Sequence, residues 1–324
     1  MLGFGSKEVD VKEHLEIIAR ILDSNKIDFK RVLQSAGEIR NFVEYYVKER
    51  GFQTHKVKLR FLQTFLDLFN KFISSCQKEK EAEARSYFKL AREEIDKYAS
   101  YGSVYLLRHP DKSKVKGLSL SAMGVRQANQ VARLIKEEIL LSPKPVRLEI
   151  YTSELTRTKL FGEVINFISR SKKIMEITQK QDERLFMGPL SDAVNSRYTK
   201  LAKELGAEKG VFEGFSEWIE RRDTFGEEIG KGGIRDPREV KAGIDSFVQY
   251  ASGKAAIQNT YTIIIAISHS WILDTWFYQY TGIQEIVSTA EYVKIEFGDL
   301  FYKGSWRPVR ITLQGTIGKR RLVA

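Results

Sequence analysis

Cysteine is almost missing from this chain. Cys76 is the only one in 324 residues, so no disulfide can close within the chain and thiolate metal sites are excluded. A reducing, cytoplasmic setting is the expectation. Proline is scarce as well: there are 6, the first at Pro110, so no proline interrupts a helix anywhere before it. Long apolar runs are absent, since none approaches the ~20 residues that span a bilayer. The opening stretch MLGFGSKEVDVKEH has neither a basic n-region nor an apolar h-region, so neither targeting nor membrane insertion is expected. What is plentiful is positive charge. The net charge is +11, and most of the excess lies beyond residue 100. That bias favours anionic partners without choosing among phosphate esters, nucleic acid and acidic lipid.

Two patterns divide the chain. Over residues 1–100 apolar side chains recur at helical spacing: Leu15, Ile18 and Leu22, then Val32, Ile39, Phe42, Val43 and Tyr46. This second helix is expected to stop at Gly51, with glycine in the left-handed cap conformation. Phe61, Leu62, Phe65, Leu66, Phe69, Phe72 and Ile73 mark a third. Ala84, Phe88, Ala91, Ile95 and Tyr98 lay a narrow stripe along a more polar helix, suited to packing on another helix. Whether Ser74, Ser75 and Cys76 split this region into two helices is left open by the pattern. From Gly102 short apolar runs of strand type alternate with amphipathic helices: SVYLLRH, RLEIYTS, KKIMEIT, YTIIIAIS and EYVKIEF are the strands. Alternation of this kind implies crossover units and a mostly parallel sheet covered on both faces. The expected fold is therefore α/β, a three-layer α/β/α region over 101–324, preceded by an all-α region over 1–100.

Ligands of such sheets sit at the carboxyl ends of the strands. His109, Ser153 and His269 fall at three such ends. A single histidine there is usually structural. Two, in LLRHP and AISHS, with Arg108 beside the first and Arg157 opening the helix after SELTR, are a constellation. Guanidinium offers forked donors matched to phosphate oxygens, so two arginines and two imidazoles suit a tetrahedral dianion. Positive neighbours disfavour protonating a histidine, which keeps an imidazole neutral and nucleophilic near neutral pH.

These residues resemble the histidine phosphatase superfamily, with its phosphoglycerate mutase-like fold. LLRHP is similar to its Arg-His-Gly signature, LSLSAMGVRQA to a helix start with Gly and Gln-Ala, SELTR to Ser-x-Leu-x-Arg and SHS to a late Ser-His-Gly; together they cover about Ser103 to Phe297. The resemblance implies that His109 is the nucleophile, becoming phosphohistidine, and that Arg108, Arg157 and His269 hold the phosphoryl oxygens. It implies an acidic proton donor before the late histidine. QDERLFMG supplies Glu183, with Asp182 as the alternative. The chemistry implied is a metal-independent, cofactor-free, two-step phosphatase reaction on a phosphate monoester, whether a small molecule or a phosphoprotein.

The chain departs from the family pattern in places. Pro110 replaces the usual glycine and offers no N–H, the following loop DKSKVK lacks the family's asparagine, and Ser270 stands where a glycine is usual. The tract between Leu185 and Pro237 is long enough for a lid. GEEIGKGG lacks the spacing and the Ser or Thr of a phosphate loop. TSELT lacks the glycines of a nucleophile elbow, so Ser153 is not read as a nucleophile. Trp271, Trp276, Phe277 and Tyr278 are read as helix packing, which disfavours nucleic acid. Two other readings stand beside the phosphatase: a phosphomutase, and a phosphate-binding module without turnover. In any of them the helical region is expected to serve regulation, a protein partner or self-association.

Overall fold

The computed structural model describes residues 9–113, 115, 119–186, 237–255, 259–269, 272–274, 276–277, 287–296, 299–303 and 305–307. The lid tract over 187–236, GEEIGKGG, Ser270, Trp271 and Tyr278 lie outside them.

Four helices come first: α1 (Val11–Leu22), α2 (Phe29–Arg50), α3 (Lys56–Gln77) and α4 (Glu81–Tyr98). Local chemistry starts the first two, because Asp10 accepts the Glu13 N–H and Asp28 the Arg31 N–H, satisfying amides that a helix start leaves open. The residues read as apolar stripes are the buried ones, Leu15, Ile18 and Leu22 on α1 and Ala84, Phe88, Ala91, Ile95 and Tyr98 on α4. α2 does end at Arg50, but Gly51 is right-handed, φ −56° and ψ −35°, and leads into a 3-10 turn. The expected left-handed cap is not used, since the chain carries its turn onward rather than reversing. The break between α3 and α4 falls at Lys78–Lys80, with Glu79 at φ 53°. Ser75 and Cys76 stay inside α3, where both are buried.

The sheet follows, with strands β1 (Ser103–Arg108), β2 (Val146–Thr152), β3 (Ile174–Gln181), β4 (Tyr261–Ser268), β5 (Tyr292–Glu296), β6 (Asp299–Tyr302) and β7 (Ser305–Arg307). Their order is β3-β2-β4-β1-β5-β6-β7. The first four are mutually parallel; β5, β6 and β7 add an antiparallel flank. That meander follows from short connections, which permit only antiparallel neighbours. Helices α5 (Ala122–Leu141) and α6 (Thr156–Ser169) cover one face. Helix α7 (Pro237–Ala255) and residues 272–274 and 276–277 cover the other. Alternate residues of β1 accordingly face opposite cores, Tyr105 and Leu107 one, Val104 and Leu106 the other. Strands buried on both sides read as unbroken apolar runs. No helix among the described residues is long and apolar enough to cross a membrane.

The helical region is not set apart from the sheet. Its apolar core runs on through α5 and α6 to β2 and β4. At the amino ends of β1 and β4 its Lys58 is fully buried, donating to Ser103 Oγ (3.1 Å), Tyr261 OH (2.9 Å) and Glu296 Oε1 (2.6 Å). Lys294 sits alongside, 3.1 Å from both Glu138 and Glu296. Two ammoniums and two carboxylates thus compensate one another in the interior, as buried charges must.

Candidate active site

β1 and β4 are neighbours whose onward connections leave to opposite faces, α5 to one and Ile272, Leu273, Trp276 and Phe277 to the other. A crevice opens at their carboxyl ends for that reason. His109 extends β1 by one residue, its N–H donating to Ser268 O at 3.0 Å. His269 follows β4 directly. The two rings lie 5.1 Å apart, centroid to centroid, with both residues buried.

Hydrogen bonds assign the proton on each ring. His109 Nδ1 lies 2.8 Å from Pro110 O. A carbonyl only accepts, so Nδ1 carries hydrogen and Nε2 presents a lone pair. His269 Nδ1 lies 3.2 Å from Arg157 Nη2, and a guanidinium only donates. His269 Nε2 is therefore the protonated nitrogen and donates to Ser153 Oγ at 2.8 Å. Thr158 spends its own hydroxyl hydrogen on Leu155 O (2.7 Å), so Ser153 Oγ donates to Thr158 Oγ1 at 3.0 Å. The chain from Arg157 through His269, Ser153 and Thr158 to Leu155 is thus consistently directed.

Electrostatics keep both imidazoles neutral. Burial, aided by Arg157 and Arg108, lowers His109 to about 4, against the opposing bond to Pro110 O. Burial, then His109, Arg157 and Arg108, lowers His269 to about 2. Desolvation outweighs the neighbouring positive charges, the only cause visible in the sequence. Arg157 stands in the first turn of α6, where the helix dipole disfavours a cation. Nε of both Arg108 and Arg157 is buried with no acceptor among the described residues. An anion's oxygens are the chemical complement of such donors.

The two loops flanking His109 are held by α5. Gln127 accepts the Asp111 N–H at 2.9 Å and donates to Thr289 Oγ1 at 3.2 Å. Ser121 caps α5 through the Gly124 N–H and donates to Asp111 Oδ2 at 2.6 Å. Gly124 is required here, because a Cβ would meet Asp111 O at 2.3 Å.

Glu183 belongs to a 3-10 turn, Glu183–Leu185, tied to the same strand ends. Asp182 N donates to Thr152 O (3.1 Å) and Ser268 Oγ to Leu185 O (2.7 Å). Its side chain is exposed. Asp182 is committed elsewhere, receiving Arg184 Nε at 2.8 Å and Nη2 at 2.6 Å, bonds that hold its carboxyl below the usual range despite burial. A carboxylate so engaged makes a poor acid, which removes it as the alternative to Glu183. The fold thus brings His109, His269, Arg108 and Arg157 into one crevice and sets the turn of Glu183 beside it. Sequence reasoning missed Ser153 as the partner of His269 and Thr158 as the partner of Ser153, Gln127 as the loop clamp, and Asp274. Asp274 left a trace: a lone carboxylate inside WILDTWF. Among the described residues no three His, Cys, Asp or Glu side chains gather as a metal site would require.

Fold and site together define an α/β protein whose parallel strand ends carry two buried, neutral histidines beside two arginines. No family model matches the chain, and no curated protein does. Among solved structures it is similar to a phosphoglycerate mutase from Bacillus anthracis, at 13% identity over 64% of this chain and 92% of that one, TM-score 0.42. It is similar to a mycobacterial glucosyl-3-phosphoglycerate phosphatase at 12% identity over 60% and 89%, TM-score 0.40. A phosphoserine phosphatase from Entamoeba histolytica is similar at 15% over 65% and 98%, TM-score 0.35.

Proposed function

We propose that this protein is a phosphatase that hydrolyses a phosphate monoester through a phosphohistidine on His109. The observation that carries the reading is the pairing of two buried neutral imidazoles with two guanidiniums whose buried Nε–H groups have no acceptor among the described residues. The Nε2 lone pair of His109 attacks phosphorus, and the bond to the ester oxygen breaks. Charge develops on the imidazole, where the Nδ1–H bond to Pro110 O stabilises it. Pro110 thus serves through its carbonyl, although it has no N–H to offer. Arg108 and Arg157 stabilise the equatorial oxygens, the dominant requirement of phosphoryl transfer, and neutral His269 fixes the Arg157 guanidinium through its Nδ1. Glu183 enters as the acid and gives its proton to the departing alkoxide. As carboxylate it then takes a proton from water, whose oxygen attacks phosphorus while the P–N bond breaks, releasing inorganic phosphate and restoring His109.

The test is turnover of an aryl phosphate in chelator, with acid-labile, base-stable phosphate followed on the protein. Activity and label are expected in the wild type, and both vanish in His109→Ala. Glu183→Gln is expected to slow an alkyl phosphate by about 10²–10⁴-fold and an aryl phosphate far less, because phenolate departs without a proton. Label persisting in His109→Ala would sink the mechanism. Phosphate binding without label or turnover in the wild type would instead favour a binding module.

A further inference from the structure

Arg108 owes the position of its guanidinium to residues far away in the chain. Its Nη1 donates to Val287 O at 2.7 Å, and the Val287 N–H donates in turn to Asp274 Oδ1 at 2.8 Å. A single residue, Val287, therefore stands between the arginine and the carboxyl. Asp274 is 5% exposed and belongs to the short segment anchored on His269, whose carbonyl accepts the N–H of Ile272 (3.2 Å) and of Leu273 (3.0 Å). The loop after Val287 is laced to the same strand end: Ala290 N donates to Arg108 O and Arg108 N to Glu291 O, both at 3.2 Å.

We infer that Asp274 is a positioning residue, acting through Val287 to fix where Arg108 presents its remaining donors to a bound phosphoryl group. The inference rests on the phosphate-monoester reading above. It explains why a carboxyl stands in an apolar segment against Ile272, Leu273 and Trp276, all buried. A hydrophobic side chain would fill the space and leave the buried Val287 N–H without an acceptor. Burial raises Asp274 to about 8, against the opposing bond from the Val287 N–H and the charge of Arg108. Asparagine has the same shape and acceptor.

The experiment measures the affinity for inorganic phosphate and kcat/KM on an aryl phosphate for the wild type, Asp274→Leu, Asp274→Asn, Arg108→Ala and the double variant Arg108→Ala/Asp274→Leu. Asp274→Leu is expected to lose about tenfold in both quantities, and Asp274→Asn to restore them to within about twofold, because a backbone acceptor of this kind supports roughly one factor of ten. In the Arg108→Ala background the leucine is expected to cost no further affinity, since its effect runs through the missing guanidinium. Wild-type affinity in Asp274→Leu, or losses that add in the double variant, would overturn the role of Asp274 while leaving the phosphatase reading intact. A wild type that neither binds nor turns over phosphate would overturn that reading and the inference with it.

Discussion

His109 and His269 combine two properties that rarely coincide: they are buried, and they lie close to cations. Both push towards the neutral form, so the folded protein binds fewer protons at these rings than the unfolded chain in mildly acid solution. For His109 the folded value is about 4 against an ordinary 6.5. The sign follows directly. Its contribution to stability is fully present above about pH 6.5 and is lost as pH falls towards 4. Between about pH 7 and about pH 5 the loss from this one ring comes to about 2 kcal/mol. Urea unfolding at the two pH values should show it, and His109→Asn should flatten the difference. An identical pH dependence in the variant would mean that His109 is not held neutral by its surroundings.

Elements matter to the site through how closely they approach one another. Helix α5 reaches the crevice with its first turn, where Ser121 serves at once as cap and as a donor to Asp111. Gly124 lets the helix come against the backbone of the loop that follows His109, with 2.3 Å to Asp111 O from where a Cβ would stand. The nearest atom is backbone, so no side chain can rotate away to make room. Gly124→Ala should therefore displace the Asp111 loop, cost about 1–3 kcal/mol and reduce kcat/KM at least tenfold. Thermal unfolding and steady-state kinetics on the same sample check both, and an alanine variant of unchanged activity would show that the loop can yield without harm. Turns were harder to read than helices. Glycine at position 51 suits a left-handed cap, yet Gly51 is right-handed, because the chain continues into another turn instead of reversing.

At the scale of the whole molecule the helical layer and the sheet are joined by charge as well as by apolar packing. Lys58 of α3 reaches Glu296 of β5 at the amino end of the sheet, opposite the crevice. Removing one member leaves a buried charge without adequate compensation, and the cost of that is about 3–5 kcal/mol. Lys58→Met should lose stability on that order in denaturant unfolding, and Lys58→Met/Glu296→Leu should recover much of it, since a pair replaced by apolar groups is tolerated better than a broken one. A lysine variant within about 1 kcal/mol of the wild type would mean that water or Lys294 already compensates Glu296.

Much of this was legible in the sequence, for a physical reason. Helical stripes and strand runs are local patterns, so the leading helical region, the α/β alternation and the strand ends bearing His109 and His269 follow from residue spacing alone, whereas the break that makes α3 and α4 two helices does not. The resemblance to histidine phosphatases likewise rests on short stretches that can be read one at a time. Tertiary structure decided what depends on residues distant in the chain. It set β1 beside β4, so that the two rings lie 5.1 Å apart, and it made burial, more than neighbouring charge, the cause of their neutrality. It gave Ser153 to His269 across more than a hundred positions. It also put Asp274 one residue away from Arg108 across a gap of more than a hundred and sixty positions. Spacing determines which face of its own element a side chain occupies, whereas the partner it meets there is fixed only when the elements pack.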